Sequence, residues 1–231
     1  MRFFLHNIIG LLILMCCMQT DDKEPVGQQL ADNNPVTTPD TPKEYEGNSH
    51  IRILNTGPRG GVYESSAGDT FRYTVFRIQL FNDTIIPVKL DIHFPEKPIA
   101  LLPDSTIVLD VFRLPDEFTP DSIQDVFNFG VEMEDFFESG INKKSPFETS
   151  ILPNEQQTLY VGILYVSNIP DGRTRAKLFL EGHDKDAPYF PVHSVEEYKV
   201  DNSPINLVYG ISFDAPNYYA FIPCGSIYTG S

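Results

Sequence analysis

Residues 88–94 constrain the fold of this chain more than any other stretch: Val88, Leu90, Ile92 and Phe94 alternate with Lys89, Asp91 and His93. A two-residue hydrophobic period belongs to a β-strand with one buried face and does not fit the longer period of a helix. Residues 72–81 repeat it, with Thr74, Phe76, Ile78 and Leu80 on one side and Val75, Arg77, Gln79 and Phe81 on the other. This predicts a second strand with one buried face. Asn82-Asp83-Thr84 separates the two, so the expectation is an antiparallel hairpin whose turn end is made irregular by Pro87.

Further short strands are expected at 50–54, before the turn-rich Gly57-Pro58-Arg59-Gly60-Gly61, and at 106–114, with Ile107, Leu109 and Val111 on one side. The glycine group lacks the Gly-Lys-Ser/Thr ending of a phosphate loop, so it reads as a bend. Others fall at 175–181, with Ala176, Leu178 and Leu180 inward, and at 206–213. Residues 147–152 and 158–166, joined by Pro153-Asn154-Glu155-Gln156, resemble the mid-domain hairpin of bacterial immunoglobulin-like sandwiches. Spaced strands with turn signals between them, together with that resemblance, imply an all-β, immunoglobulin-like antiparallel β-sandwich of about seven or eight strands. The expected domain spans residues 50–214, followed by a tyrosine-rich C-terminal extension, 215–231, packed upon it.

The strand pattern breaks at residues 115–146, read as a short, mostly helical insertion. Thr119-Pro120-Asp121 offers a cap, a proline at the first helical position and an acid in the first turn, with Ile123, Val126 and Phe127 at helical spacing. Five phenylalanines in it, Phe118, Phe127, Phe129, Phe136 and Phe137, read as cover for a core in preference to a recognition surface. Its acids do not follow the order of a calcium loop.

Ahead of the domain, Arg2 precedes an apolar run from residue 3 to 18 that is too short to cross a bilayer as a helix. Here the chain resembles bacterial lipoproteins. Leu14 stands three residues before Cys17 with the small Cys16 directly before it, so residues 1–17 are expected to form a signal peptide ending at the lipidated Cys17; Cys16 is the alternative. Gln19, Thr20, Asp21 and Asp22 resemble the acidic signal that sends some gram-negative lipoproteins to the cell surface. The resemblance implies a lipid-anchored protein of the outer membrane, exposed at the cell surface, with a periplasm-facing orientation as the alternative. Residues 18–49, rich in acids, amides and proline, read as a disordered tether holding the domain on the order of 30 Å from the membrane.

The chain carries 32 acidic and 17 basic residues in 231, a formal charge of −15. Nucleic acid is therefore not an expected partner, and Lys143-Lys144 and the trio Arg173, Arg175 and Lys177 read as solvated surface. Three cysteines are present, and only Cys224 lies in the folded region. It reads as a buried, unreactive thiol without a histidine partner nearby in sequence. His183, Asp184, Asp186 and His193 are metal-ligating in kind but fall in a turn without recognisable metal geometry, so no metal and no cofactor is assigned. Tyr209, Tyr218, Tyr219, Tyr228 and Phe221 read as core or edge packing before sugar stacking.

No nucleophile elbow, zinc-protease motif or recognisable cysteine–histidine pair occurs. The expected function is therefore non-enzymatic: a binding or adhesion module for an envelope protein or glycan, carried on loops at one end of the sandwich or on the insertion. A structural or assembly subunit of an outer-membrane complex is the alternative. A glycoside-type hydrolase, which needs only two carboxylates, ranks below both, and no catalytic residue is assigned.

Overall fold

The computed structural model describes residues 50–104, 107–118, 127–131, 133–140, 146–166, 173–213 and 218–229. The lipidation residues Cys16 and Cys17, the tether, the helix start at Thr119, and Lys143-Lys144 lie outside the described residues. Described strands are β1 (His50–Glu64), β2 (Thr70–Asn82), β3 (Val88–Ile92), β4 (Ile99–Ala100), β5 (Val108–Arg113), β6 (Phe147–Ile151), β7 (Gln156–Val166), β8 (Thr174–Leu180), β9 (His193–Lys199), β10 (Ile205–Phe213) and β11 (Tyr219–Thr229). They form two antiparallel sheets, sheet 1 in the order β4-β5-β7-β2-β1-β9 and sheet 2 in the order β6-β3-β11-β10-β8. The all-β sandwich expected from the sequence is the observed architecture, built from more strands than expected.

The main core lies between the sheets. Ile53, Phe76, Ile78, Leu80, Val111 and Ile163 of sheet 1 and Val88, Leu90, Tyr209, Ile211, Ile222 and Ile227 of sheet 2 belong to one buried cluster. Each long alternating strand thus buries several apolar side chains worth about 1.5–3 kcal/mol apiece.

Two expected hairpins are corrected. β2 belongs to sheet 1 and β3 to sheet 2, and β6 and β7 divide in the same way. Both connections are arches between sheets. Alternation tells which face of a strand is buried and says nothing about which neighbour it pairs with. The two arches are fastened to each other at Asn82, which is 1% exposed. Its side-chain amide donates to the carbonyls of Ile86 (2.9 Å) and Ile151 (2.8 Å), and its Oδ1 accepts from the Thr84 amide (2.9 Å). The Asn154 amide donates to its carbonyl at 2.8 Å, and its own amide donates to the Glu155 carbonyl at 3.0 Å.

The expected bend at residues 57–61 is a bulge inside the continuous strand β1, where pairing with β2 shifts between Thr56 and Arg59. The chain passes very close to its neighbour there: a Cβ added to Gly60 would lie 2.2 Å from the Tyr73 carbonyl oxygen.

Nor does β2 have a single buried face. Tyr73 and Val75 join Phe112, Leu114, Tyr160 and Leu164 on the outer side of sheet 1. The insertion covers them with Phe118, Phe129, Val131, Met133, Phe136 and Phe137. Its described part is a series of short turns, Asp116–Phe118, Phe127–Gly130, Met133–Asp135 and Phe136–Gly140, broken by left-handed backbone at Asn128 (φ 54°) and Phe129 (φ 60°). Asn128 is held by its amide donating to the Tyr73 hydroxyl at 2.8 Å. Four of the five phenylalanines cover a core as expected, while Phe127 is 66% exposed.

The tail is the other correction. β11 is an interior strand of sheet 2, between β10 and β3, so the sandwich does not end at residue 214. Its period is hidden because Ala220, Ile222 and Cys224 are buried, and then Ile227 and Thr229. The phase slips at Gly225, beside the irregularity where Leu207 faces Gly225 and Val208 faces Pro223. Proline is tolerated inside a sheet at such a bulge.

A candidate binding face on sheet 2

The bulge in β11 sets what the outer face of sheet 2 presents. A Cβ at Gly225, whose φ is +131°, would lie 1.9 Å from the Asp91 carbonyl oxygen, so only glycine lets β11 lie this close to β3. Beyond it, Ser226 stands opposite Asp91 and Tyr228 opposite Lys89. On the other side of β3, Ser150 stands opposite Lys89 and Glu148 opposite Asp91. Two rows result, Tyr228–Lys89–Ser150 and Ser226–Asp91–Glu148, and their six side chains line a shallow groove of about 440 Å³.

The electrostatics of the rows differ. In the first, the Lys89 ammonium lies 5.8 Å from the centroid of the Tyr228 ring. In the second, Asp91 and Glu148 are directly opposed carboxylates, an arrangement that lowers the stability of a sheet. His93 Nδ1 lies 3.6 Å from Asp91 Oδ2. His93 also lines a second hollow of about 290 Å³ at the end of the sandwich, with Phe94, Glu96, Phe112, Arg113 and Pro146. Arg113 is held there over the Phe147 ring (4.3 Å) and on Asp116 Oδ1 (2.7 Å).

No family model, curated protein or solved structure matches the chain. The reading of this face therefore stands on its own chemistry.

Of the tyrosine-rich tail, Tyr228 belongs to the groove, and Tyr219 packs edge-on against Phe221 at 5.7 Å on the same strand. Phe221 is 41% exposed. Tyr209 is fully buried, its ring edge-on to Phe94 (5.6 Å) and Phe76 (6.5 Å), and burial raises its hydroxyl well above the usual tyrosine value. Cys224 is fully buried, as the sequence implied, and burial pushes its thiol up, the opposite of the shift a thiolate nucleophile needs.

The histidines and acids of residues 183–193 are not gathered around a point. Among the described residues no group of three or more His, Cys, Asp or Glu is placed to hold a metal ion. The His183 ring packs edge-on to Tyr198 at 5.1 Å, while Asp186 is bonded to Lys177. Lys177 is 1% exposed, which corrects its reading as solvated surface: it is paired with two carboxylates beneath the segment that follows β8.

Sequence reasoning placed Lys89, Asp91 and His93 on the solvent side of β3 but gave them no role. It did not single out Glu148, Ser150 or Ser226. The alternation of β3 carried half of the signal. The other half needs the register of β6 and β11, which lie far from β3 in the chain.

Proposed function

We propose that the protein is a lipid-anchored cell-surface binding module, held through Cys17, that takes a glycan on the outer face of sheet 2. The observation that carries this reading is the opposed pair Asp91 and Glu148, set between Ser226 and the Tyr228–Lys89–Ser150 row. Stability does not explain two facing carboxylates. Hydroxyl recognition does, because an ionised carboxylate only accepts hydrogen bonds, and sugar hydroxyls donate them. Tyr228 adds a ring with an apolar face beside these acceptors, and Lys89 and the serine hydroxyls supply donors. The immunoglobulin-like character of the sandwich belongs to the same proposal, with recognition carried on a sheet face in place of the end loops.

A hydrolase would use the same two carboxylates differently. Glycosidases set their acid and its partner on two sides of the scissile bond. Asp91 and Glu148 stand side by side on adjacent strands of one open face, an arrangement suited to holding a sugar.

A glycan array probed with the full-length protein tests the reading. Binding is expected to one class of glycan, and Asp91→Ala or Tyr228→Ala is expected to weaken it about tenfold, or about 1.4 kcal/mol. Capture of an envelope protein that is indifferent to both substitutions would transfer the function to another surface. Cys17→Ser is expected to abolish labelling by a fatty-acid probe, and protease added to intact cells is expected to digest the domain.

A further inference from the structure

We propose that Lys177 and Asp186 are joined in the mature protein by an intramolecular amide bond, with Glu196 as the group that moves the proton. Lys177 lies on β8, at the edge of sheet 2, where all side chains of the strand but Arg175 are buried. Its Nζ is 2.5 Å from Asp186 Oδ2 and 2.7 Å from Glu196 Oε1. The Phe179 ring centroid is 5.9 Å away. Glu196, on β9, is 10% exposed and is held from its other side by Lys185 at 3.2 Å. A buried amine and two carboxylates therefore meet in one place at the margin of the sandwich.

Chemistry follows from the setting. The Lys177 nitrogen becomes a nucleophile only when a neighbouring group takes one of its protons. Glu196 Oε1, 2.7 Å from Nζ, takes a proton from the ammonium and gives it up to the departing oxygen once Nζ and Cγ are bonded. The Lys177 nitrogen then attacks Cγ of Asp186. A carbon–nitrogen bond forms, the carbon–oxygen bond to one Oδ breaks, and that oxygen leaves as water carrying two protons that began on Nζ. Glu196 ends as it started, so the balance is one ammonium and one carboxylate giving one amide and one water. Condensation is unfavourable between separate molecules in water, but fixed neighbours react as if at about 10⁵–10⁸ M. The Asp186 side chain, 29% exposed, leaves the water a way out.

The bond would lock the segment after β8 to the edge of sheet 2. In this region the lock would stand where an exported domain commonly has a disulfide, since the described residues contain only the free, buried Cys224.

Tryptic mapping of the full-length protein by mass spectrometry tests the proposal. With the amide present, cleavage after Lys177 is blocked while cleavage after Lys185 proceeds, and residues 176–185 are recovered attached to residues 186–199; this species has the mass of an uncut 176–199 but two amino ends, at Ala176 and Asp186, which fragment sequencing tells apart. Lys177→Met and Asp186→Ala are expected to abolish that species. Glu196→Gln is expected to reduce it at least about tenfold, in line with the loss of a proton-transfer group. Recovery from the unaltered protein of free 176–177 and free 186–199, with no joined species, would overturn the proposal and leave an ion triad only. That result does not depend on any variant folding, nor on the glycan reading.

Discussion

On the outside of sheet 1, Phe112 of β5 stacks on Phe136 of the insertion at 4.9 Å, and Phe118, also of the insertion, meets Phe136 edge-on at 5.3 Å. On the outside of sheet 2, around β3, the corresponding positions are Lys89, Asp91, Glu148, Ser150, Ser226 and Tyr228, open to solvent over a shallow groove. Both faces belong to one sandwich and share one core. The first is buried for stability at the cost of a long insertion. The second keeps an opposed pair of carboxylates that stability alone would have removed. The proposed glycan reading rests on that pair.

The largest effect that separates the faces is expected at Phe136, which is fully buried. Phe136→Ala should cost about 3–5 kcal/mol in chemical denaturation, since it removes the ring at the centre of the second core. A loss below about 1 kcal/mol would mean that the insertion is an ornament and that sheet 1 is stable without its cover.

Asn82→Ala comes next. It would take the Asn82 side chain from the Ile151 carbonyl and the Thr84 amide, and from the Ile86 carbonyl, which keeps the Thr84 hydroxyl at 2.7 Å. A loss of at least about 2 kcal/mol is expected, because each buried unmet group costs about 1–3 kcal/mol. The same measurement on Asn55→Ala extends the point. Its Nδ2 donates to the Leu178 carbonyl (3.2 Å) and its Oδ1 accepts from the Leu178 amide (2.8 Å), tying β1 to the edge strand β8.

Asp91→Asn should act in the other direction. Removing one of two opposed charges is expected to stabilise the domain by about 0.2–1 kcal/mol while weakening ligand binding. A clear destabilisation would show that Asp91 serves the fold, and the contrast between the faces would collapse.

The smallest effect is electrostatic. A side-chain hydrogen bond from Arg52 holds the Asp83 carboxyl below the usual carboxylate range, with burial opposing it. The folded value is below the unfolded one, so this contribution is fully present above about pH 4 and is lost as pH falls through the folded value. The pair is about one-third exposed on both sides. Asp83→Asn should therefore cost no more than about 1 kcal/mol at pH 7 and flatten the acid limb of the stability curve.

Much of this fold was legible in the chain. Val88, Leu90 and Ile92 are buried on β3, as their alternation required, and Ala176, Leu178 and Leu180 on β8 likewise. The phenylalanines of the insertion were read as core cover, and Phe118, Phe129, Phe136 and Phe137 are that. β11 was missed for a definite reason: the bulge at Gly225 breaks its period, and the tyrosines on it gave no strand rhythm. The groove was half legible, because the register that brings Glu148 and Ser226 to Asp91 comes from strands far apart in the chain.

What the sequence determined by itself is the class of the domain and which side of most strands is dry. Both follow from local periodicity, which any single segment carries. What only the tertiary structure decided is which strands are neighbours. Asn82 fastens together two arches where hairpins were expected, Gly225 admits β11 to the middle of sheet 2, and Lys177 meets Asp186 and Glu196. Each depends on groups distant in the chain coming within hydrogen-bond or van der Waals reach, and no local pattern encodes that.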